Sequence, residues 1–262
     1  MDDVYRHDRE KEKARRMFDS SEARKAFENV LNHDTLMSLL KLEERGTLER
    51  IQGVLESGKE SVVFLVEKPD GEKALAKIYM NQAGGFRDME EYLRGDKRFR
   101  DFKSDRRSVM KEWCRKEFSN LRKASKVLRC PEAIAFQENV LVMEMIGRDG
   151  KPFPKLKEVV PENPEEALDT VLQQMKELLQ EEQLVHGDLS EYNVLVNEEG
   201  EMIWIDFSQG VHKTHPEASR LLERDVENIT GFFGKHGSDT STEEALEKVI
   251  PGTETSEPPY NL

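Results

Sequence analysis

Apolar residues along this chain change their spacing repeatedly, and each change marks an expected element. In residues 1–46 the apolar positions Val30, Leu31, Leu36, Leu39, Leu40 and Leu42 fall at helical steps in a charge-rich background that stops at Gly46. From Thr47 to Tyr79 the period shortens to that of strands. Leu55, the run Val62-Val63-Phe64-Leu65-Val66, a Pro69-Asp70-Gly71 turn and Ala74-Leu75-Ala76-Lys77-Ile78-Tyr79 predict a meander. Helical spacing returns with Met110, Trp113/Cys114, Glu117, Leu121, Ala124 and Leu128, and an apolar strand follows from Asn139 to Gly147. Residues 151–163 are proline-rich and loop-like. Asn163-Pro164-Glu165-Glu166 then reads as N-cap, first helical position and acidic first turn of a helix over 164–183. Its apolar face is Leu168, Val171/Leu172, Met175 and Leu178/Leu179. Val194-Leu195-Val196 and Met202-Ile203-Trp204-Ile205 flank Glu198-Glu199-Gly200 as a hairpin, a helix is expected from Ala218 to Gly231, and at most one short helix lies beyond Gly237. The class is α+β.

Composition narrows the possibilities. With 262 residues the chain suffices for one large domain or two lobes, and its net charge of −13 argues against general affinity for nucleic acid or membranes. Cys114 and Cys130 lack metal-type spacing and read as reduced core thiols; His212 and His215 lack metal partners. No apolar run has the length of a membrane span and the first residues do not read as a signal peptide, so a cytoplasmic protein is expected. The basic exception is local. Arg94, Lys97, Arg98, Arg100, Lys103, Arg106 and Arg107 against Asp96, Asp101 and Asp105 give residues 94–107 a net +4, with Phe99 and Phe102 interleaved. That composition suits backbone contact and base stacking on RNA, or a solvated mobile loop within the insert over about 80–107.

The chemistry concentrates between Leu184 and Phe207. His186-Gly187-Asp188-Leu189-Ser190-Glu191-Tyr192-Asn193 puts an Asp and an Asn five positions apart, and the hairpin after it returns Asp206 toward Asn193. Phosphoryl transfer needs metal ligands, an orienting residue for the nucleophile and a cradle for phosphates. Asp188 is the candidate base or orienting residue, and Asn193 and Asp206 are the candidate magnesium ligands. His186 is read as a structural hydrogen-bonding residue. Lys77 stands in an apolar strand, where a buried ammonium requires an anion. Glu117 is the one charge on the apolar stripe of the following helix and is its expected partner, the other candidate anion being nucleotide phosphate. The turn Glu56-Ser57-Gly58-Lys59-Glu60-Ser61 can lay N–H groups over phosphates, or be an ordinary hairpin turn. Arg224-Asp225 is expected either to brace the catalytic loop or to form a solvated pair.

These motifs resemble the protein-kinase fold, with its HRDLxxxxN catalytic loop and DFG metal loop. Gly187 stands for the Arg of the first motif, Ser208 for the Gly of the second, and Ser190 where many protein kinases carry a catalytic-loop Lys. In detail LVHGDLSEYNVL and the GKE turn resemble the RIO family of atypical serine/threonine kinases, type-one branch, over roughly 47–235. Ser61-Val62 departs from the Ala-Asn common after that turn. The resemblance implies a kinase-like bilobal fold with a truncated C-terminal lobe and an N-terminal helical extension. Its expected parts are the extension (1–46), an N-lobe (47–146), a C-lobe (147–237) and a polar tail (238–262). It also implies ATP bound by Ser57, Gly58, Lys59, Glu60, Lys77 and Glu117, with adenine on the Glu144 carbonyl and Ile146 amide and bordered by Met143.

Mg2+ is the implied metal, with Mn2+ as a substitute. The implied activity is modest serine phosphorylation and ATP hydrolysis, with possible phosphorylation of Asp206, in cytoplasmic maturation of the small ribosomal subunit. The basic insert 94–107 would contact precursor rRNA, and neither membrane nor DNA is an expected partner. Two other readings stand beside it. One is a small-molecule phosphotransferase of the aminoglycoside or choline kinase kind, whose larger C-terminal helical lobes the 56 residues after Asp206 do not match. The other is a nucleotide-gated RNA-binding assembly factor with little kinase activity.

Overall fold

The computed structural model describes residues 12–13, 16–19, 21–30, 32–80, 86–99, 101–252 and 262. Leu31, Arg100 and the side chain of Val30 lie outside the described residues, as do residues 1–11 of the expected extension, 81–85 of the insert and 253–261 of the tail. Two compact units are formed. The first comprises Met1–Leu93, Asp101–Phe118 and Glu132–Met145; the second comprises Arg94–Arg100, Ser119–Pro131 and Ile146–Leu262.

In the first unit, β1 (Arg50–Ser57), β2 (Ser61–Glu67), β3 (Lys73–Tyr79), β4 (Ala133–Gln137) and β5 (Val140–Glu144) form an antiparallel sheet in the order β1-β2-β3-β5-β4. Strand alternation sends Val62, Phe64 and Val66 from β2, and Ala74, Ala76 and Ile78 from β3, into one core. Helices α1 (Ser21–Val30) and α2 (His33–Glu44) close that core with Phe27, Leu36, Leu39, Leu40 and Leu42. Phe27 sets its ring edge-on to Phe64 at 6.2 Å, and α2 is capped by Asn32, whose side chain accepts from the Thr35 N–H at 2.8 Å.

The insert after β3 contains α3 (Phe86–Gly95), a helix absent from the sequence expectation. Among its described side chains, Met89 and Leu93, one helical turn apart, are buried. Helix α4 (Arg106–Ala124) starts and ends earlier than the spacing suggested, which leaves Leu128 beyond it.

In the second unit, α5 (Pro164–Glu181) has the expected cap, with Asn163 accepting from the Glu166 N–H, and buries the whole expected apolar face. The hairpin of β9 (Val194–Val196) and β10 (Met202–Trp204) pairs as the sequence suggested. Helix α6 (Ala218–Gly234) runs past Gly231, because Phe232 and Phe233 are buried in its next turn and outweigh the cost of a helical glycine. Helix α7 (Thr242–Val249) opens on a reciprocal Ser241/Glu244 capping box. Short pairings complete the unit: β6 (Gly147–Arg148) with β7 (Lys151–Pro152), and β8 (Leu184–Val185) with β11 (Val211–His212).

Candidate active site

Candidate residues occupy both units. In the first, β3 and α4 bring Lys77 and Glu117 together: Lys77 Nζ lies 2.9 Å from Glu117 Oε1, with the side chains 5% and 0% exposed. The Tyr79 hydroxyl donates to Glu117 Oε2, so both carboxylate oxygens are bonded. Sequence reading missed Tyr79, although it sits two residues from Lys77 and therefore on the same strand face. Burial and the neighbouring Glu117 push the Cys114 thiol well above its ordinary value, which keeps it protonated and inert.

The turn between β1 and β2 places Ser57, Gly58, Lys59 and Glu60 at the surface. Its backbone is closed by Gly58 N–H donating to the Ser61 carbonyl at 2.9 Å and Met80 N–H donating to Glu60 O at 2.7 Å. At the end of β5, Met143 is buried opposite Leu75 and Ala133, and the Glu144 N–H donates to Glu132 O at 2.9 Å. Ile146 belongs to the second unit, where it is buried and its carbonyl accepts from Phe153 N–H.

The catalytic-type loop of the second unit is pinned from α6. Asp225, fully buried, accepts from the Gly187 N–H at 2.7 Å and the Leu189 N–H at 2.8 Å. Arg224 donates to the Gly187 carbonyl and approaches Asp188 Oδ1 at 3.6 Å, while Asn228 donates to Leu189 O at 3.1 Å. Of the two roles weighed for Arg224-Asp225, bracing is the one observed. Desolvation pushes the Asp225 carboxyl up to about 8, against the pull of the Leu189 and Gly187 N–H groups. Gly187 has φ +78°, and a Cβ there would lie 2.8 Å from the Gln209 carbonyl oxygen, so the residue is needed for both conformation and space.

This brace leaves Asp188 exposed beside Asn193, whose Nδ2 donates to Asp188 O at 2.7 Å and Asp188 Oδ2 at 3.2 Å. The hairpin brings the chain back, with Ile205 N–H donating to Asn193 O at 2.9 Å, and Asp206 follows in the left-handed region (φ 61°, ψ 71°). Its Oδ1 accepts from Ser208 N–H at 3.3 Å. His186 is structural: Asp188 N–H points at Nδ1 (3.3 Å), so Nε2 carries the proton and donates to Ile205 O at 3.1 Å. Among the described residues no group of three or more His, Cys, Asp or Glu side chains gathers to hold a metal by itself.

The RIO domain model matches residues 62–246. The RIO-type serine/threonine-protein kinase Rio1 of Methanocaldococcus jannaschii is 42% identical over 88% of this chain and 78% of its own length. The chain belongs to the RIO kinase family. Rio1 of Haloferax volcanii is 37% identical over 93% of this chain and 84% of its own length. With relatives of that name over most of its length, this RIO protein is an enzyme of the serine/threonine kinase class. The fold agrees. Crystal structures of the Rio2 kinase from Chaetomium thermophilum superpose with TM-scores of 0.62 and, for its ADP/Mg2+-phosphoaspartate complex, 0.60. They share 21% and 22% identity and cover 84% and 82% of this chain, and 69% and 66% of theirs.

Part of the basic segment of this RIO protein is committed to its own fold. Phe99 is 3% exposed, and Arg98, folded back on Asp96, lies 4.9 Å from its ring. Of the two aromatics expected to stack on RNA, Phe102 is half-buried and Phe99 is enclosed. Arg94, Lys97, Lys103, Arg106 and Arg107 are exposed; Arg107 pairs with Asp34 and Glu138.

Proposed function

We propose that this chain is an ATP-dependent RIO-type serine/threonine kinase and ATPase that acts in the cytoplasm on the maturing small ribosomal subunit. The observation that carries the reading is the Asp188–Asn193 contact, on a loop braced by Asp225 and joined to Asp206 by the β9–β10 hairpin. Asp188, exposed and with one oxygen held by Asn193, orients the attacking hydroxyl or water and takes its proton. With Asn193 Nδ2 turned to Asp188, Asn193 Oδ1 is the oxygen left for a cation, and the Asp206 carboxylate is the second hard ligand. Two protein oxygens suit Mg2+, which takes few protein ligands and completes its shell with water and phosphate oxygens; Mn2+ can substitute. When bound, the metal and ATP supply a charge-neutralised phosphoryl group.

Lys77, held by Glu117, positions the nucleotide phosphates, and the Ser57–Glu60 turn covers them. The backbone of Glu144 and Ile146, with Met143, holds adenine. The phosphoaspartate in the Rio2 crystal complex supports Asp206 as an acceptor of phosphate during turnover here. The exposed cations Arg94, Lys97, Lys103 and Arg106 support contact with precursor rRNA. No described helix is long and apolar enough to cross a membrane.

The test is ATP turnover by the whole chain and by Asp188→Ala, alone and with small-subunit particles, aminoglycosides or choline. Asp188→Ala is expected to lose about 10²–10⁴ in rate. Stimulation by the particles alone supports the ribosomal reading. Stimulation by a small molecule replaces it, and an unchanged rate in Asp188→Ala removes that residue from its role.

A further inference from the structure

The turn that follows Asp206 is held by one side chain from 87 residues upstream. Asn120 Nδ2 donates to the carbonyl oxygens of Phe207 at 3.0 Å and Gly210 at 2.8 Å, so both amide hydrogens are engaged. The fit is close: a Cβ on Gly210 would lie 2.8 Å from Asn120 Nδ2. Asn120 is fully buried, and its acceptor oxygen is met by Arg98 Nη1 at 2.9 Å. Arg98 is fixed in turn by Asp96, also fully buried: Nη2 donates to Oδ2 at 2.6 Å, Nε to Oδ1 at 2.9 Å, and the Arg98 N–H to Oδ1 at 3.0 Å. Asp96 directly follows Gly95, where any Cβ would overlap the buried His215 imidazole. All of these residues belong to the second unit.

A left-handed backbone at a residue other than Gly costs energy and persists only where its surroundings over-determine it. Asp206 is such a residue, and Asn120 restrains the turn immediately after it. Changing a partner that orients a metal ligand typically costs about 10–100-fold in metal affinity. We propose that Asn120 is a positioning residue for the Asp206 carboxylate, set through Arg98 and Asp96, so that the segment after α3 controls divalent-cation affinity. Arg98 then serves the metal loop and does not serve as a nucleic-acid contact. This rests on the reading of Asp206 as a magnesium ligand.

The experiment titrates Mg2+ calorimetrically into the full chain saturated with a non-hydrolysable ATP analogue, with thermal unfolding and ATP turnover measured in parallel. Asn120→Ala is expected to weaken Mg2+ binding by about 10–100-fold. Arg98→Lys keeps the charge but cannot hold Asp96 and Asn120 together. It is expected to weaken Mg2+ binding several-fold, and it decides the matter alone if Asn120→Ala does not fold. Lys126→Ala, exposed beyond the end of α4, is expected to bind Mg2+ like the wild type. Variants that melt earlier yet bind Mg2+ as the wild type does would overturn the proposal and leave Asn120 a structural amide. A wild-type chain that binds no Mg2+ would instead overturn the assignment of Asp206, and the proposal with it.

Discussion

Glu117 and Asp225 are both fully buried carboxyl groups, yet the chain holds them by opposite means. Glu117 faces a complete positive charge, Lys77 at 2.9 Å, with the Tyr79 hydroxyl on its second oxygen. Asp225 faces two backbone N–H groups, with Arg224 contributing from the flank, and desolvation wins: its proton affinity rises to about 8. At Asp225 desolvation outweighs what two amide N–H groups and the flanking Arg224 return, so this carboxyl prefers its proton. The first arrangement keeps a buried cation in place. The second is a brace, whose work is to fix the shape of a loop.

The sharpest way to break this comparison is to remove one member of the ion pair. Glu117→Ala leaves Lys77 as a buried charge without its carboxylate, and a loss of about 3–5 kcal/mol is expected in urea unfolding. The double variant Lys77→Met/Glu117→Leu is expected to recover most of that loss while ATP turnover stays abolished. A double variant as unstable as the single one would show that the buried Tyr79 hydroxyl left without Glu117, and not the charge of Lys77, was responsible.

Asp225 is expected to make stability depend on pH. Its carboxyl titrates near its ordinary 3.8 in the unfolded chain and near 8 in the folded one. Below both values the proton is held in either state and the contribution to stability is complete. As pH rises between them the unfolded chain releases the proton first, so stability falls, with a slope approaching about 1.4 kcal/mol per pH unit, until the folded state also ionises. His212 slopes the other way below about its ordinary 6.5, because burial and then Arg98 lower its proton affinity. That slope cancels in a difference between variants. Asp225→Asn replaces one acceptor oxygen with a donor, and is expected to cost about 1–3 kcal/mol near pH 6 and to lose the decline between pH 6 and 8. Urea unfolding of both proteins at three pH values reads this directly; equal slopes would mean that Asp225 is already ionised in the folded chain.

The same contrast explains how much of the molecule was legible in its sequence. The Asp188–Asn193 contact was readable because both residues lie on one loop, and one hairpin returns the chain to Asn193 just before Asp206. Lys77 and Glu117 were readable at long range because each is a lone charge on an apolar surface, and such a charge requires a partner. Asn120 is equally buried and sits three residues beyond Glu117 on the same helix, but an amide declares no sign of charge, so periodicity gave no hint of its partners. Asp96 and Arg98 were misread for the opposite reason. Amid so many cations they resembled a solvated surface, whereas Asp96 is fully buried and Arg98, partly exposed, bonds to it and to Asn120. Helix α3 was legible in principle, since Met89 and Leu93 stand one turn apart before Gly95, but the surrounding charge masked the stripe.

The smallest expected effect concerns Gly58, where sequence left a phosphate cradle and a plain hairpin turn both open. Its φ lies outside the left-handed region, and a Cβ there would meet only the Ser61 carbonyl oxygen, at 3.5 Å, an ordinary contact. The fold itself therefore has no need of glycine at this position, in contrast to Gly187. Replacing glycine by alanine where the backbone already suits alanine stiffens the unfolded chain and stabilises by about 0.4–1 kcal/mol. Gly58→Ala is accordingly expected to melt at the same temperature or slightly higher. If the turn lies against phosphates, the added methyl group stands where a ligand must approach the backbone, and the KM for ATP is expected to rise several-fold with kcat little changed. A variant whose stability rises and whose KM does not move would make this turn a connection between β1 and β2 and nothing more, leaving the phosphates to Lys77 alone.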